Sequence, residues 1–301
     1  MNKTTISWTD FSASPIKYRD SSGKSVWGCV KCSPGCARCY SESLAKRWDK
    51  GGPFTLPVMN TLTPYVDEKE INTLLHSKKI AGKRVFLEDM SDLFGPWVPF
   101  DMIDRVFAAM ALRPDVTFQI LTKRTERMAE YLNVPERSRD NFQDALGPLM
   151  NEMEFILRQT PRSPFRWPLP NLWLGTSVED QARADERIPW LLKCPAAMRF
   201  LSCEPLLGPI DLKLRRPPKD DDYVGYHGDG PIDYVERGID WVIVGGESGN
   251  GARPCHVEWI RSIVSQCRNA GVPVWTKQDA GPRPGLQGRI PDDLWIHEMP
   301  I

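Results

Sequence analysis

The stretch Asp240-Trp241-Val242-Ile243-Val244-Gly245-Gly246-Glu247-Ser248-Gly249 decides the fold class of this chain. Its apolar residues run from Trp241 to Val244 without alternation and then give way to a glycine-rich polar turn. A strand with one wet face would alternate, whereas a continuous apolar run suits a parallel strand covered on both faces. The same design recurs outward from this point. Arg84-Val85-Phe86-Leu87 leads into Glu88-Asp89-Met90-Ser91-Asp92, and Thr117-Phe118-Gln119-Ile120-Leu121 into Thr122-Lys123-Arg124. Leu172-Trp173-Leu174-Gly175 leads into Thr176-Ser177-Val178-Glu179, and Met198-Arg199-Phe200-Leu201 into Ser202-Cys203-Glu204-Pro205. Pro273-Val274-Trp275-Thr276 leads into Lys277-Gln278-Asp279, and Ile6-Ser7-Trp8 is a further strand candidate near the start.

Between these runs, apolar residues recur at helical spacing. They predict helices over 40–50, 67–77, 100–112, 126–132, 184–192 and 257–269, the last stopped by Gly271. Repeated strand–helix units with right-handed crossovers give a parallel open sheet or a barrel. The expectation is a parallel β/α barrel, partial or complete, with the cysteine loop after the first strand. It forms one domain over 1–301 with insertions at about 134–170 and 207–238. The first insertion carries a predicted helix over 140–158, and the second reads as a surface excursion.

The residues just past each strand are polar or ionisable. In a parallel barrel these points share one rim, where ligands sit. Glu88, Asp89, Ser91, Ser177, Glu179, Ser202, Glu204, Gly245, Gly246 and Glu247 are the candidate cofactor-binding residues on that argument. Loop residues and helix caps would explain each of them singly. The Gly245-Gly246 pair can bring backbone close to an anionic group, and a tight turn accounts for it as well. Arg124, Arg127 and Arg253 read either as an anion patch or as solvated arginines, and the four histidines show no metal spacing.

Four of the eight cysteines lie in eleven residues, as Cys29-Val30-Lys31-Cys32-Ser33-Pro34-Gly35-Cys36-Ala37-Arg38-Cys39, followed by Tyr40. Soft thiolates this close select an iron–sulfur cluster or zinc, and disulfides or free thiols are the other readings. Zinc knuckles usually stand far apart in sequence, and here only three residues separate the two pairs. Three ligands suffice for a cluster, and both Cys32-Cys36-Cys39 and Cys29-Cys36-Cys39 are available triads. Cys194, Cys203, Cys255 and Cys267 are scattered and read as buried small hydrophobes.

The spacing Cys32-x3-Cys36-x2-Cys39-Tyr40 resembles the cluster loop of radical S-adenosylmethionine (SAM) enzymes. In those enzymes three thiolates hold a 4Fe–4S cluster whose open iron chelates SAM. An ordered set of segments also resembles the phage gene-product thirty-seven/sixty-eight family, described by its three-Cys motif. These are Ser7-Trp8-Thr9-Asp10, the loop over 28–40, Met90-Ser91-Asp92-Leu93-Phe94, Leu121-Thr122-Lys123-Arg124, the stretches 173–179 and 199–208, and 240–254. That family's triad corresponds to Cys29, Cys36 and Cys39. Where radical-SAM enzymes carry Gly-Gly-Glu after a strand, this chain carries Glu88-Asp89. The resemblance implies a radical-SAM-like enzyme that takes SAM, an electron donor and a nucleotide or nucleic-acid substrate. The alternative is a non-catalytic module stapled by zinc or a cluster that binds nucleic acid or protein. A thiol-redox protein is a third reading.

Composition bounds these readings. Lys plus Arg equals Asp plus Glu at 39 each, so no global charge favours nucleic acid, and only a local patch could. No signal-like start and no apolar run of about 18 residues is present, so no membrane is expected. Clustered cysteines in such a chain fit the cytoplasm and metal rather than disulfides.

Overall fold

The computed structural model describes residues 1–133, 167–214 and 238–300. Most of the two expected insertions, including the helix over 140–158 and the aspartate run, lies outside the described residues.

The architecture is mixed α/β. Its main sheet has eight strands and is not closed. In spatial order they are β1 Asn2–Lys3, β2 Phe11–Ala13, β6 Arg84–Leu87, β7 Thr117–Thr122, β8 Leu172–Ser177, β9 Met198–Cys203, β10 Trp241–Gly245 and β11 Val274–Gln278. Apart from the antiparallel β1–β2 pair, the pairings β2–β6, β6–β7, β9–β10 and β10–β11 are parallel. The continuous apolar runs are buried as expected, with all five residues of β10 inaccessible. Contacts along the backbone divide the chain into two compact units, Met1–Trp173 and Leu174–Ile301.

In the first unit the first parallel strand is not Ile6-Ser7-Trp8. Those residues form a turn closed by the Thr9 N–H on the Ile6 carbonyl, and the strand is Phe11–Ala13. Trp8 serves packing instead, buried against the Phe86 ring at 5.0 Å. A second departure lies between β2 and the cysteines. A small antiparallel sheet intervenes, ordered β4 Ser25–Val26, β3 Ile16–Arg19 and β5 Thr63–Val66. The cysteine loop therefore follows β4 rather than a strand of the main sheet. The helices of this unit are α1 Tyr40–Arg47, α2 Leu56–Met59, α3 Glu68–His76, α4 Phe100–Ala111 and α5 Thr125–Leu132. Asp67 caps α3 by accepting from the Lys69 N–H. On α4 the buried face is Ile103, Val106, Phe107 and Met110. Its buried Asp104 accepts the Tyr131 hydroxyl of α5 at 2.7 Å, so the polar group does not oppose packing.

The second unit carries α6 Gln181–Leu192 and α7 Val257–Ala270. α7 ends at Gly271, whose φ of 70° is the left-handed conformation that glycine adopts without a Cβ penalty. Strands β8 and β9 approach so closely that a Cβ on Gly175 would lie 2.4 Å from the Phe200 ring. That position therefore needs glycine for packing alone.

Candidate metal centre

The four clustered cysteines sit on a loop whose two stems are tied to the ends of β6 and β7. At the entry stem, the Trp97 indole donates to the Tyr18 hydroxyl at 2.8 Å, and that hydroxyl lies 2.9 Å from the Ser91 hydroxyl. Ser91 in turn donates to the Gly28 carbonyl at 3.0 Å. Because Ser91 spends its proton on Gly28, the chain of bonds is directed from Trp97 through Tyr18 to the loop. Two residues on, the Val30 carbonyl accepts Arg124 Nη2 at 2.7 Å. The other guanidinium nitrogen of Arg124 bonds the buried Asp92 carboxylate at 2.7 Å, which also accepts the Thr122 hydroxyl at 2.7 Å. Arg124 lies over the Trp97 ring at 4.7 Å, so it is held from three sides rather than solvated. At the exit stem, the Tyr40 and Ser41 hydroxyls both donate to the Asp89 carbonyl, at 2.5 and 2.8 Å. The Lys31–Glu42 ion pair at 2.6 Å ties the loop's middle to α1.

Between these stems the backbone makes a short 3-10 turn, Pro34–Cys36, and Cys39 stands at the N-terminal boundary of α1. No disulfide forms, Cys32 is exposed, and Cys29, Cys36 and Cys39 are half-buried. The thiols differ sharply in acidity. Burial, the Asp92 charge and the neighbouring Cys39 and Cys36 push Cys29 up to about 12, against the opposing pull of Arg124. The Cys32 thiol's hydrogen bond to Cys36, helped by the Lys123 charge and by Ser33, outweighs burial and brings Cys36 down to about 4. The four thiols thus share one electrostatic neighbourhood with two cations. Among the described residues no three His, Cys, Asp or Glu side chains stand as a ready-made metal site. The donor chemistry fits a thiophilic centre all the same, because clustered thiols outside any disulfide, nearby positive charge and one exposed side are what thiolate ligation requires.

The candidate carboxylates after β6 part company. Glu88, with φ at 61°, turns inward and accepts the Ile16 N–H at 2.7 Å through Oε1, while Oε2 is buried with no hydrogen-bond partner. Burial raises its pKa well above the carboxylate range, and the Ile16 N–H offsets only part of this. Asp89 points elsewhere and is bonded by the Ser14 hydroxyl at 2.9 Å; burial raises it, against the pull of Ser14 and Ser12. Asp89 and Ser91 are therefore the rim candidates that stand beside the cysteine loop, and Glu88 belongs to the interior.

In the second unit the candidates are held by their own neighbours. Arg187 of α6 donates to the Ser177 carbonyl at 2.8 Å and to the Glu179 carboxylate at 3.0 Å, all three buried. Ser202 lies within β9, its carbonyl accepting the Val178 N–H at 2.9 Å. Glu204 takes two bonds from Lys277 at 2.6 and 2.8 Å and one from Gln278 at 3.2 Å. Glu247 accepts the Arg253 backbone N–H and Nε, both at 2.9 Å, so Arg253 is not a solvated arginine. A Cβ on Gly246 would stand 2.3 Å from the Ala280 nitrogen, and one on Gly245 would crowd Gln278. Close approach to the end of β11 and to the segment after it accounts for both glycines. Cys194, Cys203, Cys255 and Cys267 are buried and free, as expected of small core hydrophobes.

Sequence reasoning located the loop and the polar run over 88–92 but missed Tyr18 and Trp97. Neither sits in a motif, and the only signal was a tyrosine in a short strand and a tryptophan before Pro99. No curated protein and no solved structure matches this chain. A family model does match residues 13–287, and the chain belongs to that family, DUF5131, described as proteins of unknown function.

Proposed function

We propose that the chain is an iron–sulfur enzyme of the radical-SAM type, acting in the cytoplasm on a nucleotide or nucleic acid, with its open parallel sheet forming a partial β/α barrel. The observation that carries this reading is the cysteine loop itself. Four cysteines outside any disulfide are displayed between two stems that Ser91, Arg124 and the Asp89 carbonyl fix to strand ends. The spacing of those thiols and the resemblance to the phage three-Cys family support the same chemistry.

Cys29, Cys32, Cys36 and Cys39 would supply the ligands, three of them sufficing for a 4Fe–4S cluster. When bound, such a cluster passes an electron from an external donor to SAM, whose reductive cleavage yields methionine and a hydrogen-abstracting radical. The chain's own residues do the rest. Ser91 and Arg124 hold the loop through its backbone, so the thiols stay available for ligation. The charges of Arg124 and Lys123 favour thiolate in their surroundings. Asp89, flanked by Ser12 and Ser14, offers a carboxylate to the amino group of SAM where related enzymes use a glutamate.

The test is anaerobic reconstitution with iron and sulfide, followed by an EPR spectrum of the reduced protein with and without SAM. A signal that shifts on adding SAM supports an open iron site. One tightly held zinc and no cluster would replace this reading with a metal-stapled binding module.

A further inference from the structure

The chain is electrically balanced, yet the surface flanking the cysteines is not. Residues 24–50 hold six cations, Lys24, Lys31, Arg38, Lys46, Arg47 and Lys50, against only Glu42 and Asp49. Both acids are already taken, Glu42 by Lys31 and Asp49 by Lys24. Among the described residues no carboxylate lies within 4 Å of Arg38, Lys46, Arg47 or Lys50, and all four are exposed.

Helix α1 organises part of this surface. Ser41 and Ala45 form its buried side, which at 100° per residue places Tyr40, Ser43, Lys46 and Arg47 across the opposite side. Tyr40 is 48% exposed and Trp48, just past the helix, is 55% exposed. Trp48 is braced rather than loose, its ring 5.8 Å from that of Trp27. Tyr40 is anchored at its hydroxyl by the Asp89 carbonyl. Among the described residues the exposed large hydrophobic side chains are Tyr40, Trp48, Leu56 and Leu286, so both exposed aromatics lie in the same 24–50 stretch as these cations.

Unpaired cations interleaved with fixed, exposed aromatic rings are what a single nucleic-acid strand needs. The cations meet phosphates, and the rings stack bases that a duplex keeps hidden. Building on the enzyme reading above, we propose that Arg38, Tyr40, Lys46, Arg47, Trp48 and Lys50 form a docking surface for single-stranded nucleic acid beside the cysteine loop. The surface holds the substrate strand, which assigns the substrate class as a single-stranded polynucleotide rather than a free nucleotide.

The experiment follows a fluorescein-labelled oligothymidylate by anisotropy with the full-length protein, both metal-free and reconstituted, over a salt series. The wild type is expected to bind the oligothymidylate more tightly than a duplex of equal length. Replacing Arg38, Lys46, Arg47 and Lys50 together by alanine should weaken binding about 100-fold. It should also lower the slope of log affinity against log salt by about 3, at roughly 0.7 per lost phosphate contact. Trp48→Ala should cost about tenfold, within the range for one stacked base. A control with Lys3, Lys69, Lys78 and Lys79 replaced by alanine loses the same charge elsewhere and should bind as the wild type does. The inference is overturned by no binding, by a preference for duplex, or by a control that weakens as much as the test variant. It is also overturned if polyglutamate competes as well as oligothymidylate, which would assign the surface to an acidic protein. Iron content measured on the same preparations separates the two claims. Normal iron with no strand binding sinks only this inference, and strand binding without iron sinks only the enzyme reading.

Discussion

Both units end their parallel strands in polar side chains, but they use them differently. In the first unit, Ser91 and Arg124 bond the backbone of the cysteine loop, and the Asp89 carbonyl accepts the Tyr40 and Ser41 hydroxyls at its exit, so that a loop of thiols is presented. In the second, Glu179, Glu204 and Glu247 are each neutralised by a cation of the same unit, Arg187, Lys277 and Arg253. The same residue types at equivalent points in strand–helix units thus serve presentation in one case and internal cohesion in the other. A polar strand end is therefore evidence of a site only when its partners are known.

The contrast can be broken most forcefully at Arg187. Arg187→Ala removes the buried cation bonded to the Glu179 carboxylate, and should cost about 3–5 kcal/mol in a denaturant melt. A near-neutral result would mean that water reaches this pair and that Glu179 is available to a ligand. Arg124→Ala should cost less, about 1–3 kcal/mol, because Asp92 keeps its Thr122 bond. Its signature is local: amide exchange over residues 29–39 should speed up while the core strands keep their protection. Uniform acceleration would make Arg124 a general stabiliser instead of a clasp on the loop.

Glu88 sharpens the comparison through pH. Its folded-state pKa is raised, so the folded chain keeps a proton that the unfolded chain releases above the ordinary carboxylate range. Its contribution is full at low pH and is lost as pH rises toward the folded-state value. The stability of Glu88→Gln relative to the wild type should thus grow between about pH 5 and pH 8. Paired denaturant melts at both ends of that range would show it, and a constant difference would place water or a cation on Oε2. The smallest effect is expected at Glu204. Glu204→Gln keeps shape and loses only a partly exposed pair with Lys277, so its midpoint should move by less than about 1 kcal/mol.

Much of this was readable before any coordinates. Continuous apolar runs such as Trp241 to Val244 marked the strands because burial on both faces leaves no room for alternation. The helix ends came from local chemistry, as at Asp67 and Gly271. The first parallel strand was misplaced because Ile6 and Trp8 alternate like strand residues, whereas Trp8 is drawn inward to pack on Phe86 from a turn. Periodicity could not see the small sheet before the cysteines, since β4 is two residues long and takes its meaning from pairing with β3. The site divides the same way. Cysteine spacing is local and was legible, whereas the clasp through Tyr18, Trp97 and Arg124 joins residues up to 94 positions apart. That one strand-end carboxylate, Asp89, meets the Ser14 hydroxyl while its neighbour Glu88 turns inward at a positive φ is not recorded by any sequence pattern.

The central claim is that the clustered thiols hold an iron–sulfur cluster. Iron, sulfide and zinc should be quantified after anaerobic reconstitution of the wild type, of a Cys36→Ser/Cys39→Ser double variant, and of a Cys194→Ser control. About four irons per chain are expected in the wild type and the control, and under about one in the double variant. Full iron loading in the double variant, or zinc in place of iron throughout, would contradict the claim.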